Sequence, residues 1–190
     1  MPEPARTRLG PGEAEVYVYT FKEGLLSPVA HDLKLRAAAF EIAVEGEKVR
    51  ASFDPARIEV VSAMRDGRPD PEALSAHDRA EIERNIRRSV LEVERYPEIR
   101  FEGTFSREGE SAEVYGQLHL HGVTRPVSLS VHQSDGELLG QVRLDQRDFA
   151  ITPFRALMGA LKIKPEVEVE LRLPAALLSA AGVQTEARGS

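Results

Sequence analysis

Apolar and polar residues alternate along most of this chain. The cleanest run is Glu166 to Leu173, where Val167, Val169, Leu171 and Leu173 interleave with Glu166, Glu168, Glu170 and Arg172. Successive side chains of a strand point to opposite faces, so such a run has one oily face and one that meets water. Ile99, Phe101 and Phe105 alternate in the same way with Glu98, Arg100, Glu102 and Thr104. Further period-two signals cover Glu15 to Phe21, Leu33 to Val44, Val49 to Phe53 and Arg57 to Val61, with EGEK at Glu45 to Lys48 as a hairpin loop. One-sided strands belong to antiparallel sheets, because parallel sheets are covered on both faces.

The period then changes. Arg65 to Ser75 is rich in turn residues, and Ser75 and Asp78 each precede an acidic residue three positions on, the chemistry of a helix start. Ile82, Ile86, Val90 and Val93 follow at helical spacing, which predicts an amphipathic helix over about 78–95 that stops before Pro97. Its other face carries Glu83, Arg84, Arg87 and Arg88. The i, i+4 pair of Glu83 and Arg87 reads as a solvated face, with anion binding by the arginines as the alternative.

One break in parity refines the picture. Val142 and Leu144 occupy even positions, whereas Phe149 and Ile151 occupy odd ones. A bulge or bend between Asp145 and Asp148 would return both pairs to the interior. Together the strands and the single inserted helix predict a mainly β fold, a closed antiparallel barrel of about eight strands, since closure removes exposed edges. The barrel domain is expected over 13–174, between mobile tails at 1–12 and 175–190 that lack periodicity.

The run LHLHGVTRPVSLSV, Leu118 to Val131, predicts a tight hairpin. Leu118 and Leu120 alternate with His119 and His121, and Val127, Leu129 and Val131 alternate with Ser128 and Ser130. Gly122 supplies the positive φ that a tight turn needs, and Pro126, without an N–H, belongs at an edge or strand start. Its segment HGVTRPV resembles the signature hairpin of the YceI family. ERYPEIRFEGTF, Glu94 to Phe105, is similar to that family's YPxIxF strand, and LDQRDFAI, Leu144 to Ile151, to its R-x-DF element. The resemblance covers roughly Phe21 to Leu173 and is densest from Tyr96 to Ile151. It implies a lipocalin-like barrel that binds lipids or polyisoprenoids; many members are exported.

Composition narrows the function classes. A chain of 190 residues can bury one substantial core, and nothing in it requires a second. A net charge of -6 without a basic stripe disfavours nucleic acid as a partner. The absence of Cys excludes disulfides, thiolate metal sites, iron–sulfur clusters and thiol nucleophiles. No stretch approaches the ~20 apolar residues of a membrane span, nor does the N-terminus carry a secretory signal, so a soluble cytoplasmic protein without stable membrane insertion is expected. A homodimer is compatible with this composition.

Candidate chemistry is sparse. Parity turns His119, His121 and His132 away from Leu118, Leu120 and Val131. With the turn centred on Val123 and Thr124, His119 and His132 stand about 13 Å apart, too far to share one metal. No metal and no cofactor are therefore expected, and His121 is expected to fix the turn by a hydrogen bond. His31 and Asp32 are adjacent on an extended segment and so point to opposite faces. Arg147 and Asp148 fall at the proposed bend and read as structural. GxSxG, HExxH, GxxxxGK[ST] and GxGxxG layouts are missing, and the carboxylates mostly alternate outward, so no catalytic residue is assigned.

The inward set Phe40, Ile42, Phe53, Ile58, Ile99, Phe101, Leu118, Leu120, Leu129, Val131 and Phe149 forms either a packed core or the wall of a ligand cavity. Periodicity leaves those alternatives open; the family resemblance implies the cavity. The expected function is non-enzymatic binding, transport or storage of an elongated apolar ligand such as a polyisoprenoid or isoprenoid quinone. Lys22, His31, Lys34 and Lys162 are candidates to meet its head group at the barrel mouth. The alternatives are a protein-interaction or stress-response module with a filled barrel, and an enzyme acting on a bound isoprenoid.

Overall fold

The computed structural model describes residues 6–24 and 31–181, with side chains through residue 178. Among the described residues thirteen strands follow one another: β1 (Arg6–Leu9), β2 (Glu15–Lys22), β3 (Asp32–Ala37), β4 (Phe40–Glu45), β5 (Lys48–Phe53), β6 (Ile58–Arg65), β7 (Arg68–Asp70), β8 (Ile99–Glu108), β9 (Ser111–Leu120), β10 (Val123–Ser134), β11 (Glu137–Asp145), β12 (Arg155–Ala156) and β13 (Leu161–Pro174). Helix α1 (Ala76–Asn85) lies between β7 and β8, and α2 (Ala176–Ala181) follows β13.

Twelve strands hydrogen-bond in the order β1-β4-β5-β8-β9-β10-β11-β13-β2-β3-β6-β7, and β12 pairs with β13 alone. This antiparallel sheet curls into a half-barrel. The expected closed barrel of about eight strands is therefore corrected: among the described residues no ladder joins β1 to β7. The reason lies in Leu33 to Val44, one period-two stretch in sequence. It breaks at Ala38 and Ala39 into β3, which pairs with β2 and β6, and β4, which pairs with β5 and β1. The chain crosses again between β5 and β6, and the two crossings are stitched by Ala38 N–H to the Arg57 carbonyl at 2.8 Å and Asp54 N–H to the Ala39 carbonyl at 3.0 Å. Alternation reports which face is oily, not which strand lies alongside.

Two segments assigned to tails carry structure. Arg6–Leu9 adds β1 to β4, and α2 buries Leu177 and Leu178 against Leu9, Val16, Ala112, Val131 and Leu138. The Arg107 guanidinium donates to the Leu178 carbonyl at 2.9 Å. This helix plugs one end of the half-barrel. The expectations for residues 1–5 and 182–190 lie outside the described residues.

Ser75, rather than Asp78, is the N-cap of α1, and the two form a reciprocal capping box. The helix is shorter than its apolar stripe predicts. It passes at Ile86–Val90 into a wide turn, and Glu92 takes a positive φ of 45°. Ile82 and Ile86 pack on Leu33, Leu35, Val60, Ala63 and Leu74. Glu83, on the polar face, accepts from Val60 N–H at 2.9 Å and from Arg87 at 2.9 Å, so the pair ties the helix to β6.

Candidate functional site

Inward side chains of the curled sheet enclose a cavity of about 800 Å³ rather than filling it. Alternation places its wall. On β13, Leu161, Ile163, Val167, Val169, Leu171 and Leu173 face in, and so do Val16, Val18 and Thr20 of β2. The α2 plug closes the end where β13 finishes. Ile82 of α1, followed by Ile86, Val90 and Leu91 just beyond it, adds to the wall.

Of the expected lining, Ile42, Phe53, Ile58, Ile99, Phe101, Leu118, Leu120, Leu129 and Val131 border the cavity. Phe40 and Phe149 do not. The Phe40 ring turns onto Phe53, centroid to centroid 5.8 Å, and packs in the core. Phe149 has a different reason. β10 and β11 pair only from Val131↔Gly140 to Ser134↔Glu137 and then part, β10 staying with β9 and β11 with β13. The 3-10 turn Gln146–Phe149 packs where the two strands diverge, and Phe149 is 2% exposed there, within the wall. This is the bend expected between Asp145 and Asp148. Asp145 accepts the Arg147 N–H at 2.9 Å and the Arg147 guanidinium, which holds its carboxyl below the usual carboxylate range. Arg125 Nε donates to the Asp148 carbonyl at 3.1 Å.

Phe101 shows how the wall is shaped. Its ring tip lies where side chains on Gly103 and Gly116 would stand, and these glycines face each other across β8 and β9. A β-carbon at either would collide with backbone of the neighbouring strand, so the bare pair lets the sheet bend sharply while the ring covers it.

Of the head-group candidates, His31 borders the cavity. Lys34 does not, because Leu33 and Leu35 are inward and it points out. Its ammonium sits 3.8 Å from the Tyr17 ring centroid on the outer face. Lys22 and Lys162 stay outside the lining, at the end opposite the plug, where Lys22 pairs with Ile163 and Lys162 with Arg155. The sequence reading missed the other polar residues of the wall, Thr20, Asp54, Asp78, Glu81, Asn85 and Gln146, two of which bury polar groups in it. Thr20 presents a buried hydroxyl without a partner among the described residues, and the buried Gln146 donates its amide to the Lys164 carbonyl at 3.0 Å. Both were readable as polar residues on the inward parity, after Val16 and Val18 and after Val142 and Leu144.

The conspicuous histidines sit elsewhere. Leu120 pairs with Val123, so the turn is His121–Gly122, both at positive φ (52° and 76°), not Val123–Thr124. His119 faces Thr124, with Nδ1 2.9 Å from the hydroxyl, and His132 faces Ser111. His121 is not outward. It is 7% exposed, its Nε2 lies 2.8 Å from a Glu92 carboxylate oxygen and its ring lies 4.2 Å from that of Tyr96. Parity fails there because a turn residue belongs to neither strand face. Among the described residues no three His, Asp or Glu side chains converge as for a metal, and no helix is long and apolar enough to cross a membrane.

The end opposite the plug has a second tip. Arg155↔Lys162 and Ala156↔Leu161 form a short ribbon whose turn carries Leu157 and Met158 at φ 52° and 54°. Leu157 borders the cavity yet is 63% exposed, and Met158 is fully exposed.

No curated protein sequence matches the chain. Its fold is similar to that of a polyisoprenoid binding domain from Saccharophagus degradans implicated in plant cell wall breakdown, at 13% identity and TM-score 0.59 over 90% of this chain and 97% of that one. It is similar likewise to Burkholderia cenocepacia BcnA, at 12% identity and TM-score 0.59 over 85% and 95%. The family model of the YceI-like domain matches residues 15–175. With that match over most of its length, this half-barrel with an apolar interior belongs to the YceI-like family.

Proposed function

We propose that this protein is a non-enzymatic binder of an elongated apolar lipid of isoprenoid type, which it holds inside the half-barrel for transport or storage. The observation that carries this reading is the cavity of about 800 Å³, walled almost wholly by aliphatic and aromatic side chains. That volume lies in the usual small-molecule range of ~300–1,000 Å³. The likeness to a polyisoprenoid binding domain supports the choice of ligand class. Binding would draw on apolar burial at about 25 cal/mol per Å², less the cost of ordering the chain. Thr20, Gln146 and His31 supply the polar atoms that a head group can meet.

Two observations weigh against the other readings. A hollow interior does not suit an interaction module built on a filled barrel. The polar lining does not resemble catalytic machinery either: of the carboxylates that share the lining with His31, Asp78 is engaged in the capping box of α1, Asp54 caps the turn at Pro55–Arg57 by accepting from Ala56 N–H, and Glu81 is exposed to solvent.

Native mass spectrometry with organic extraction tests the proposal. The purified protein should release about one equivalent of a prenyl lipid. Val169→Phe, which fills the middle of the wall, should remain folded and lose it. A chain that binds no prenyl lipid, purified or after incubation with one, sinks the reading.

A further inference from the structure

The ribbon tip beside the cavity combines features that the lipid-binding reading does not use. From Ile151 to Pro165 the chain carries Arg155, Lys162 and Lys164 and no carboxylate, in a protein of net charge -6. Arg155 and Lys162 are direct cross-strand partners and so share one face, and the exposed Lys164 follows two residues on, at the start of the irregular stretch of β13 between Ile163 and Val167. Like charges placed opposite one another destabilise a ribbon, and among the described residues none of the three forms a salt bridge. Exposed carboxylates adjoin the ribbon at its base: Glu166 stands two residues after Lys164 on β13, and the Glu23 N–H donates to the Lys162 carbonyl at 2.8 Å. Between the paired ribbon residues, Leu157 and Met158 project into solvent, and Leu157 also borders the cavity.

We propose that this ribbon docks the protein on an anionic lipid bilayer. Leu157 and Met158 enter the interface, Arg155, Lys162 and Lys164 face lipid phosphates, and the cavity meets the membrane from which its ligand comes. Apolar tips flanked by cations bind membranes by this combination of burial and charge. The contact is peripheral. The last clause rests on the lipid-binding reading; the docking itself stands on charge and exposure.

Vesicle flotation of the full chain tests it, with phosphatidylcholine vesicles against vesicles containing phosphatidylglycerol. The protein should float with the anionic vesicles, weakly with the neutral ones, and less as salt rises. Neutralising Lys162 or Lys164 to Gln should weaken partition about fivefold each. Leu157→Ser with Met158→Ser should abolish flotation, whereas Tyr115→Ser, at an exposed site on β9, should not. Equal flotation on both vesicle types, none on either, or indifference to the tip substitutions overturns the proposal. So does a concentration-dependent dimer abolished by Met158→Ser, which would assign the tip to a second copy. A water-soluble farnesyl probe separates this proposal from the function. If the probe binds and flotation fails, only the docking falls; if flotation holds and no probe or extracted lipid binds, only the cavity function falls.

Discussion

Two tips of the half-barrel adopt nearly the same unfavourable backbone and treat it in opposite ways. His121 and Gly122 stand at φ 52° and 76°, Leu157 and Met158 at φ 52° and 54°. A residue with a β-carbon resists that region by roughly 1–2 kcal/mol. At the first tip the fold answers the cost: His121 is buried, bonded to Glu92 and packed at a tilt against Tyr96, and the Tyr96 ring lies where a Gly122 side chain would be. At the second, Met158 touches little and is fully exposed. Strain offset by internal contacts serves the architecture; strain spent on displaying a thioether to solvent calls for a contact outside the chain.

The sharpest way to break this comparison is at Gly122. A β-carbon there would lie 2.8 Å from Tyr96 Cε1 at a φ that β-branched residues reject. Gly122→Val should therefore cost about 3 kcal/mol in urea unfolding, and a loss below about 1 kcal/mol would mean that Tyr96 does not lock the turn. Next in size, His121→Gly keeps the backbone easy and removes the bond to Glu92, so it should destabilise by about 1–2 kcal/mol. Met158→Gly relieves the same conformation and breaks no internal contact, so it should be neutral or stabilising by up to ~1 kcal/mol. Opposite signs for one chemical change would establish the contrast; equal losses would dissolve it.

The smallest effect concerns the capping box. Hydrogen bonds from Ser75 hold the Asp78 carboxyl below the usual carboxylate range. A depressed folded-state pKa contributes stability that is complete above the unfolded value near ~4 and fades as pH falls through the folded one. Melting curves from pH 6 to pH 3 should thus show Ser75→Ala a few degrees below the parent at pH 6, with the difference shrinking towards pH 3. A constant gap would remove Asp78 from the account.

Local patterns in the sequence carried different amounts of this structure. Alternation marked Leu118, Leu129 and Val131 as inward because each strand has one wet face, and it located the bend at Asp145–Asp148 from a parity conflict alone. It could not separate β3 from β4, since strand partnership depends on contacts remote in sequence. Wall positions were legible as a face, but not Phe149, whose place depends on β10 and β11 parting. The parity of Leu33 and Leu35 turns Lys34 outward and that of Val16 and Val18 turns Thr20 inward, so both placements are legible in the sequence. The Leu157–Met158 tip gave no periodic signal at all; its meaning comes from exposure.

The double crossing at Ala38–Ala39 and Asp54–Arg57 has a consequence for what the interior can hold. In a closed barrel, strand number and shear fix the radius, so the bore takes discrete sizes and a ligand must match one of them. Here the ladder ends at β1 on one side and β7 on the other, and two short backbone stitches join the arms. No hydrogen-bond register sets the girth. The girth rests instead on side-chain packing and on those two stitches, so a ligand of the proposed kind would take part in setting it.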